Sequence, residues 1–194
     1  MKRVDDSVAS GVIAAGGLIG VMLFGRITVY PVAVVSLLPA TAAIVYALLR
    51  TVGVRSAPRQ RQGPIAVIGC HIVAFIIGLH VLMVCNLAGV AWARALGPRA
   101  VVVLLGVAIA SVANLLPRLR PNLAVGIRTT QSLDNRRLWS RVHRLAGRSA
   151  VALGCITCVA GLSLRGDMIG PGISVAAIAL AVSIGLAYRR YAHD

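Results

Sequence analysis

The side chains best suited to chemistry in this chain are its four histidines, four cysteines and five aspartates, and their placement limits what they can do. Asp5, Asp6, Asp134, Asp167 and Asp194 are the only acids, and there is no glutamate. Paired-carboxylate hydrolysis and acid-rich divalent-metal sites have almost nothing to be built from. None of the five lies within a long apolar run, which argues against a carboxylate proton relay at membrane depth. Cys155-x-x-Cys158 has the spacing of a redox pair. It falls inside an apolar run, away from the polar, accessible setting a reactive thiolate needs, and reads as small-residue packing. Cys70 and Cys85 also fall in apolar runs, so no disulfide framework is expected and the cysteines carry no signal of redox compartment. His71 and His80 are nine residues apart, on opposite faces of one helix, and cannot jointly ligate one haem. His80 is expected to hydrogen-bond within a bundle. No phosphate-loop, dinucleotide, zinc-protease or nucleophile-elbow pattern occurs. The sequence predicts no enzyme, no metal and no cofactor.

The elements that carry these residues are membrane spans. Of 194 residues, 58% are apolar and 13% charged, against about 25% charged in ordinary soluble domains. Apolar runs cover Val8 to Phe24, Thr28 to Leu49, Ile65 to Ala91, Ala100 to Leu116, Ser149 to Leu164 and Ile173 to Tyr188. Each is about long enough to cross a hydrocarbon core of roughly 30 Å. A single helix from Val8 to Leu49 would extend roughly 60 Å, so the chain must turn, and Gly25-Arg26 with Pro31 marks a tight hairpin. Met1-Lys2-Arg3 ahead of this run superficially resembles a signal peptide. Asp5 and Asp6 interrupt the basic region and no small-x-small site follows, so an uncleaved first span is expected. Small residues four apart, such as Gly16 and Gly20, Gly106, Ala110 and Asn114, Gly154 and Cys158, and Ala177, Ala181 and Gly185, predict close helix approach in one bundle.

The net charge of +15 comes from nineteen arginines and one lysine. With six spans, 16 of these cations fall on the side of the termini and four, Arg26, Arg94, Arg99 and Arg165, on the other. The positive-inside rule then predicts both termini cytoplasmic, and anionic headgroups of the inner leaflet as a partner. The long cytoplasmic loop, 117–148, is the informative one. Ser132 can cap a helix there, Asp134 favours its first turn and Gly147 can close it. Leu138, Trp139, Val142, Leu145 and Ala146 fall on one sector, opposite Arg136, Arg137, Ser140, Arg141 and Arg144. Leu133 to Ala146 is therefore predicted as an amphipathic helix lying along the inner interface, with Trp139 at headgroup level. His143, four residues from Trp139, reads as a structural imidazole bonded to a loop carbonyl. No helix-turn-helix or aromatic stacking pattern accompanies the arginines, so direct nucleic-acid binding is not expected.

Asn114-Leu-Leu-Pro117, Pro121-Asn122, Gly126-Ile-Arg128-Thr129, Leu133, Trp139 and His143-Arg144 through Gly147 form an ordered series that resembles the signature of the SdpI family of bacterial membrane proteins. The resemblance covers roughly Val101 to Leu164, and Thr130 and Gln131 stand where the family often has Pro-Trp. It implies immunity and signalling: the name-giving member protects its bacterium from a secreted toxic peptide and, on sensing it, holds a transcriptional repressor at the membrane. Physically, Arg128 could meet a phosphate or carboxylate while the threonine hydroxyls bond neighbouring amides. Alternatively the loop plugs the end of the bundle, with Asn122 satisfying helix-end groups.

The expectation is an all-α, polytopic bundle of six transmembrane helices with a cytoplasmic amphipathic interfacial helix, in the bacterial inner membrane. Residues 1–64 would form the hairpin and a basic loop, 65–100 the third span and an outer loop, and 101–194 the SdpI-like region. Its expected role is resistance to a peptide toxin or membrane-tethered signalling by protein contact, with an accessory subunit of a larger membrane complex as the alternative.

Overall fold

In a computed structural model of the chain, the apolar runs become long helices. The structure describes residues 4–27, 31–56 and 63–163 continuously, and residues 171, 174–175, 177–179, 181–182, 184–185, 188–189 and 191 beyond them. Helix α1 is Val4–Leu23, α2 Pro31–Ser56, α3 Pro64–Leu87, α4 Ala91–Ala113, α5 Thr130–Asp134 and α6 Arg136–Ser163. No strand occurs among the described residues, and five helices are long and apolar enough to cross a membrane. The expected sixth span, Ile173 to Tyr188, lies in large part outside the described residues, and those described in it are helical.

Local chemistry explains the boundaries. α1 ends in a 3-10 turn at Phe24–Arg26, the expected hairpin position. α2 opens on Pro31 and α3 on Pro64, where a missing backbone N–H removes no helical bond. α3 closes in a Schellman turn. Gly89, at φ 79°, lets its own N–H reach the Asn86 carbonyl at 3.1 Å and the Val90 N–H reach that of Cys85 at 2.9 Å.

The segment expected as an outer loop, carrying Arg94 and Arg99, is instead helical. Trp92 to Leu96 holds good helix formers, the backbone breaks at Gly97 (φ 52°, ψ −147°), and Pro98 starts the main run of α4.

α1, α2 and α3 pack around Ala42, Val73 and Ile77. α4 and α6 meet through glycines. A Cβ on Gly154 would lie 2.6 Å from the Gly106 carbonyl oxygen, and one on Gly106 2.7 Å from that of Gly154. In lipid no hydrophobic force joins apolar helices, so dispersion at this close approach holds the pair. Cys158 sits in the same seam and Cys155 faces outward, both as free thiols. Outside the seams the helices present apolar side chains such as Leu18, Met22, Val32 and Leu37, as lipid-facing surfaces do. His80 is fully buried against Gly20 of α1, and neither ring nitrogen has a hydrogen-bond partner among the described residues, contrary to expectation.

The amphipathic segment also differs from its prediction. The short helix α5 is capped by Thr129 rather than Ser132, and Asn135 caps a new helix by accepting the Arg137 and Leu138 N–H groups at 3.0 and 3.1 Å. That helix does not close at Gly147 but continues to Ser163, so the amphipathic stretch and the fifth span are one rod. Gly147 is interior because α6 crosses α4 there, its Cβ position lying 2.9 Å from the Ala113 carbonyl oxygen. The two predicted sectors hold, with Leu138, Trp139, Val142 and Ala146 buried and Arg136, Arg137, Arg141 and Arg144 exposed. The apolar sector, however, faces protein. Trp139 is 1% exposed and packs with Ile65 and Ile68 of α3 and with Leu115 and Leu119.

Candidate functional site: the polar cap on α4 and α6

The family-like residues converge on one end of the bundle, where the chain from α4 folds over the start of α6. Asn114 caps α4 in an exposed position, and Pro117 begins a 3-10 turn over Leu116–Arg118 and rests on Gly147. Past half-buried Pro121, the Asn122 side chain organises the next turn. Its Oδ1 accepts the Ala124 and Val125 N–H groups, each at 2.8 Å, and its amide donates to the Arg120 carbonyl at 2.9 Å. Asn122 is 3% exposed, and such pairing is what keeps a buried amide affordable in free energy. The plug reading thus describes Asn122, although the groups it satisfies belong to the loop rather than to a helix end.

Trp139 and His143 form the floor. Their rings stack with centroids 3.9 Å apart at 18°, as their four-residue spacing allows. Trp139 donates from Nε1 to the Leu119 carbonyl at 2.8 Å. The Ile127 N–H reaches His143 Nε2 at 3.1 Å, so that nitrogen must carry a lone pair. The proton is then on Nδ1, which donates to the Trp139 carbonyl at 2.9 Å. Two backbone groups therefore hold the imidazole neutral in one tautomer. Its partners are a loop amide and a helix carbonyl, where a loop carbonyl was expected.

Gly126 lies directly on this floor. Its φ is 121°, and a Cβ there would fall 2.2 Å from His143 Nε2, so only glycine fits. Beyond it, Thr129 and Ser132 form a reciprocal capping box at 3.1 and 2.9 Å. Ser132 Oγ also donates to the Ile127 carbonyl at 3.0 Å. Thr129 Oγ1 lies 2.6 Å from the Tyr188 hydroxyl, which donates to Gln131 Oε1 at 3.1 Å, tying the cap to the C-terminal helical residues. Leu133, half-buried, packs on the Trp139 cluster.

The polar interior of the cap is thus turned on itself. Arg128 is exposed and donates from Nη1 to the Leu123 carbonyl, leaving the rest of its fork outward. Arg118, Arg136, Arg137, Arg144 and Arg148 are exposed with no acidic partner among the described residues, while Arg141 lies over the Tyr191 ring at 5.8 Å. Of the motif residues, Asn122, Trp139, His143 and Gly147 are inside, and Asn114, Pro117, Arg128 and Arg144 are outside. No group of three metal-ligating side chains occurs among the described residues.

Sequence reasoning missed one link at this end. Asp6 of α1 accepts the Tyr46 hydroxyl at 2.6 Å and pairs with Arg50 at 3.1 Å. Tyr46 and Arg50 are four apart on α2, a spacing that could have flagged a shared partner on a neighbouring helix. Asn135 was also missed as the cap of α6, and Ser132, expected as a cap itself, is the third-position partner in the Thr129 capping box.

No curated protein and no solved structure matches the chain. A family model described as the SdpI/YfhL protein family matches residues 118–189, which begin in the cap and run through α6 to the Tyr188 contact. Through that region, a little over a third of the chain, the protein is similar to the SdpI/YfhL protein family.

Proposed function

We propose that this protein acts by contact rather than catalysis, as a bacterial inner-membrane docking protein serving in resistance to a secreted peptide toxin or in signalling from the membrane. One observation carries the reading: the cap's buried polar groups are paired with one another, while Arg118, Arg136, Arg137, Arg144 and Arg148 are exposed with no carboxylate partner among the described residues. A surface of that kind recognises an acidic protein segment, and its margin meets the anionic headgroups of the inner leaflet. Both termini and the cap are then cytoplasmic. α6 extends about 42 Å, longer than a core of roughly 30 Å, so its first turns can stand at the inner headgroup level with the span beyond them. The short cap loop is a rigid mount, and the arginine pattern on it is the specific part.

The test is capture of a cytoplasmic partner from the native membrane and growth under challenge by the cognate peptide, both normalised to membrane abundance. Joint Arg136→Glu and Arg137→Glu should abolish capture and protection without changing insertion. Arg128→Lys, which loses the planar fork, should impair both more than Arg136→Lys. A stoichiometric membrane protein that co-purifies equally with all three variants would favour an accessory subunit and sink the docking role.

A further inference from the structure

At the end away from the cap, a groove of about 740 Å³ lies between α3, α4 and α6. Its size falls within the range of small-molecule sites, about 300 to 1,000 Å³. Ile77 and Leu82 line it from α3, Leu104 and Val107 from α4, and Gly161 and Leu162 from α6. Leu96, Val107 and Leu162 are about half exposed or more, so the groove opens sideways toward lipid. The one charged residue in its lining is Arg99, in the first turn after the Gly97–Pro98 break. Arg99 is exposed and has no acidic partner among the described residues.

Dimensions and charge select the occupant. From Arg99 to Val107 the groove follows α4 for about 12 Å at 1.5 Å per residue. A single leaflet contributes about 15 Å to a core of roughly 30 Å. The site is therefore about one leaflet deep, apolar along its length, with a guanidinium at its mouth. A peptide backbone entering it would find few polar partners, which is costly in lipid. A second copy docking on the same groove face to face would set Arg99 against Arg99, since Arg99 is the one charged residue in the lining. A phosphate with an attached alkyl chain satisfies both parts of the site, since the guanidinium fork matches phosphate oxygens.

We propose that this groove holds one anionic phospholipid of the leaflet opposite the cap, its phosphate on Arg99 and one acyl chain between α3 and α4. Native mass spectrometry of the full chain in mild detergent, titrated with phosphatidylglycerol or phosphatidylcholine of identical acyl chains, tests it. The parent should retain a single phosphatidylglycerol in preference to phosphatidylcholine. Arg99→Gln should lower phosphatidylglycerol retention about tenfold, equivalent to about 1.4 kcal/mol, and leave phosphatidylcholine unchanged. Arg94→Gln should have no effect, because that side chain folds over the Gly89 turn at the same end, outside the groove. Ala100→Phe, which fills the groove, should lower retention of both lipids. Arg99→Gln, at an exposed position, decides alone if that variant unfolds. Soluble glycerol 1-phosphate should not compete, whereas competition would reduce the site to a bare phosphate site and overturn the lipid assignment. Equal retention of the two lipids by the parent, unchanged retention in Arg99→Gln, or a dimer in place of the lipid adduct would overturn it as well.

Discussion

Gly126 and His143 share one space, and the cap depends on the smaller of them having no side chain. At φ 121° an alanine would be strained, and its methyl would displace the imidazole from the Ile127 N–H. Gly126→Ala should therefore destabilise the protein by about 2 kcal/mol or more, from strain together with an unpaired buried amide. Gly17→Ala is the control. No neighbour lies within 4 Å of that position in mid-helix, so it should be neutral or stabilising by about 0.5 to 1 kcal/mol. Thermal unfolding in detergent compares them. A second single-residue test is Trp139→Phe, which keeps an aromatic ring on the floor and removes the donor to the Leu119 carbonyl. Leaving that carbonyl unpaired should lower stability by about 1 to 3 kcal/mol and speed protease cleavage between Arg118 and Arg128. Cleavage at the parental rate would mean the indole bond does not hold the loop down.

At the scale of elements, the α4–α6 seam is the joint on which the cap is mounted, because the cap begins where α4 ends and closes on the first turns of α6. Gly154 and Gly106 set how closely the two rods approach. Gly154→Ala puts a methyl 2.6 Å from a carbonyl oxygen that cannot swing aside, since it belongs to a helix backbone. Overpacking of this kind costs about 1 to 3 kcal/mol. Cys155→Ala, one residue on and exposed, should stay within about 0.5 kcal/mol of the parent. Equal unfolding midpoints for the two variants would show that the glycine approach is not what joins the helices. The continuity of α6 adds a mechanical consequence: a tilt of the span carries Trp139, His143 and the exposed arginines with it as one body.

For the whole molecule, the proposed orientation rests on charge. On a background lacking the four native cysteines, Ala91→Cys at the exposed start of α4 should react with an impermeant maleimide in intact cells. Asp134→Cys in the cap should react only after lysis. Labelling of position 134 from outside would reverse the proposed sidedness and place the arginine surface away from any cytoplasmic partner. The Asp6–Tyr46–Arg50 link lies at the same end as the cap, so α1 and α2 are pinned where the basic segments concentrate.

The apolar runs alone determined that this is an all-helical membrane protein, because only helices satisfy backbone groups within one continuous apolar segment. They also placed the Gly25-Arg26 hairpin, since a 42-residue helix is about twice the core thickness. Small residues at four-residue spacing announced the seam at Gly106 and Gly154, and the ordered series from Asn114 to Gly147 announced the family resemblance. What the amphipathic face packs against could not be read this way. The period of Leu138, Trp139, Val142 and Ala146 states that one side leaves water, and both lipid and protein satisfy that condition equally. Only the tertiary fold decided for protein, by bringing Leu119, Ile65 and Ile68 over Trp139 and a carbonyl to its indole N–H. Likewise Gly147 has the type of a helix terminator, but α4 crosses α6 there, and the need for close approach outweighs the weak intrinsic preference of glycine to end a helix.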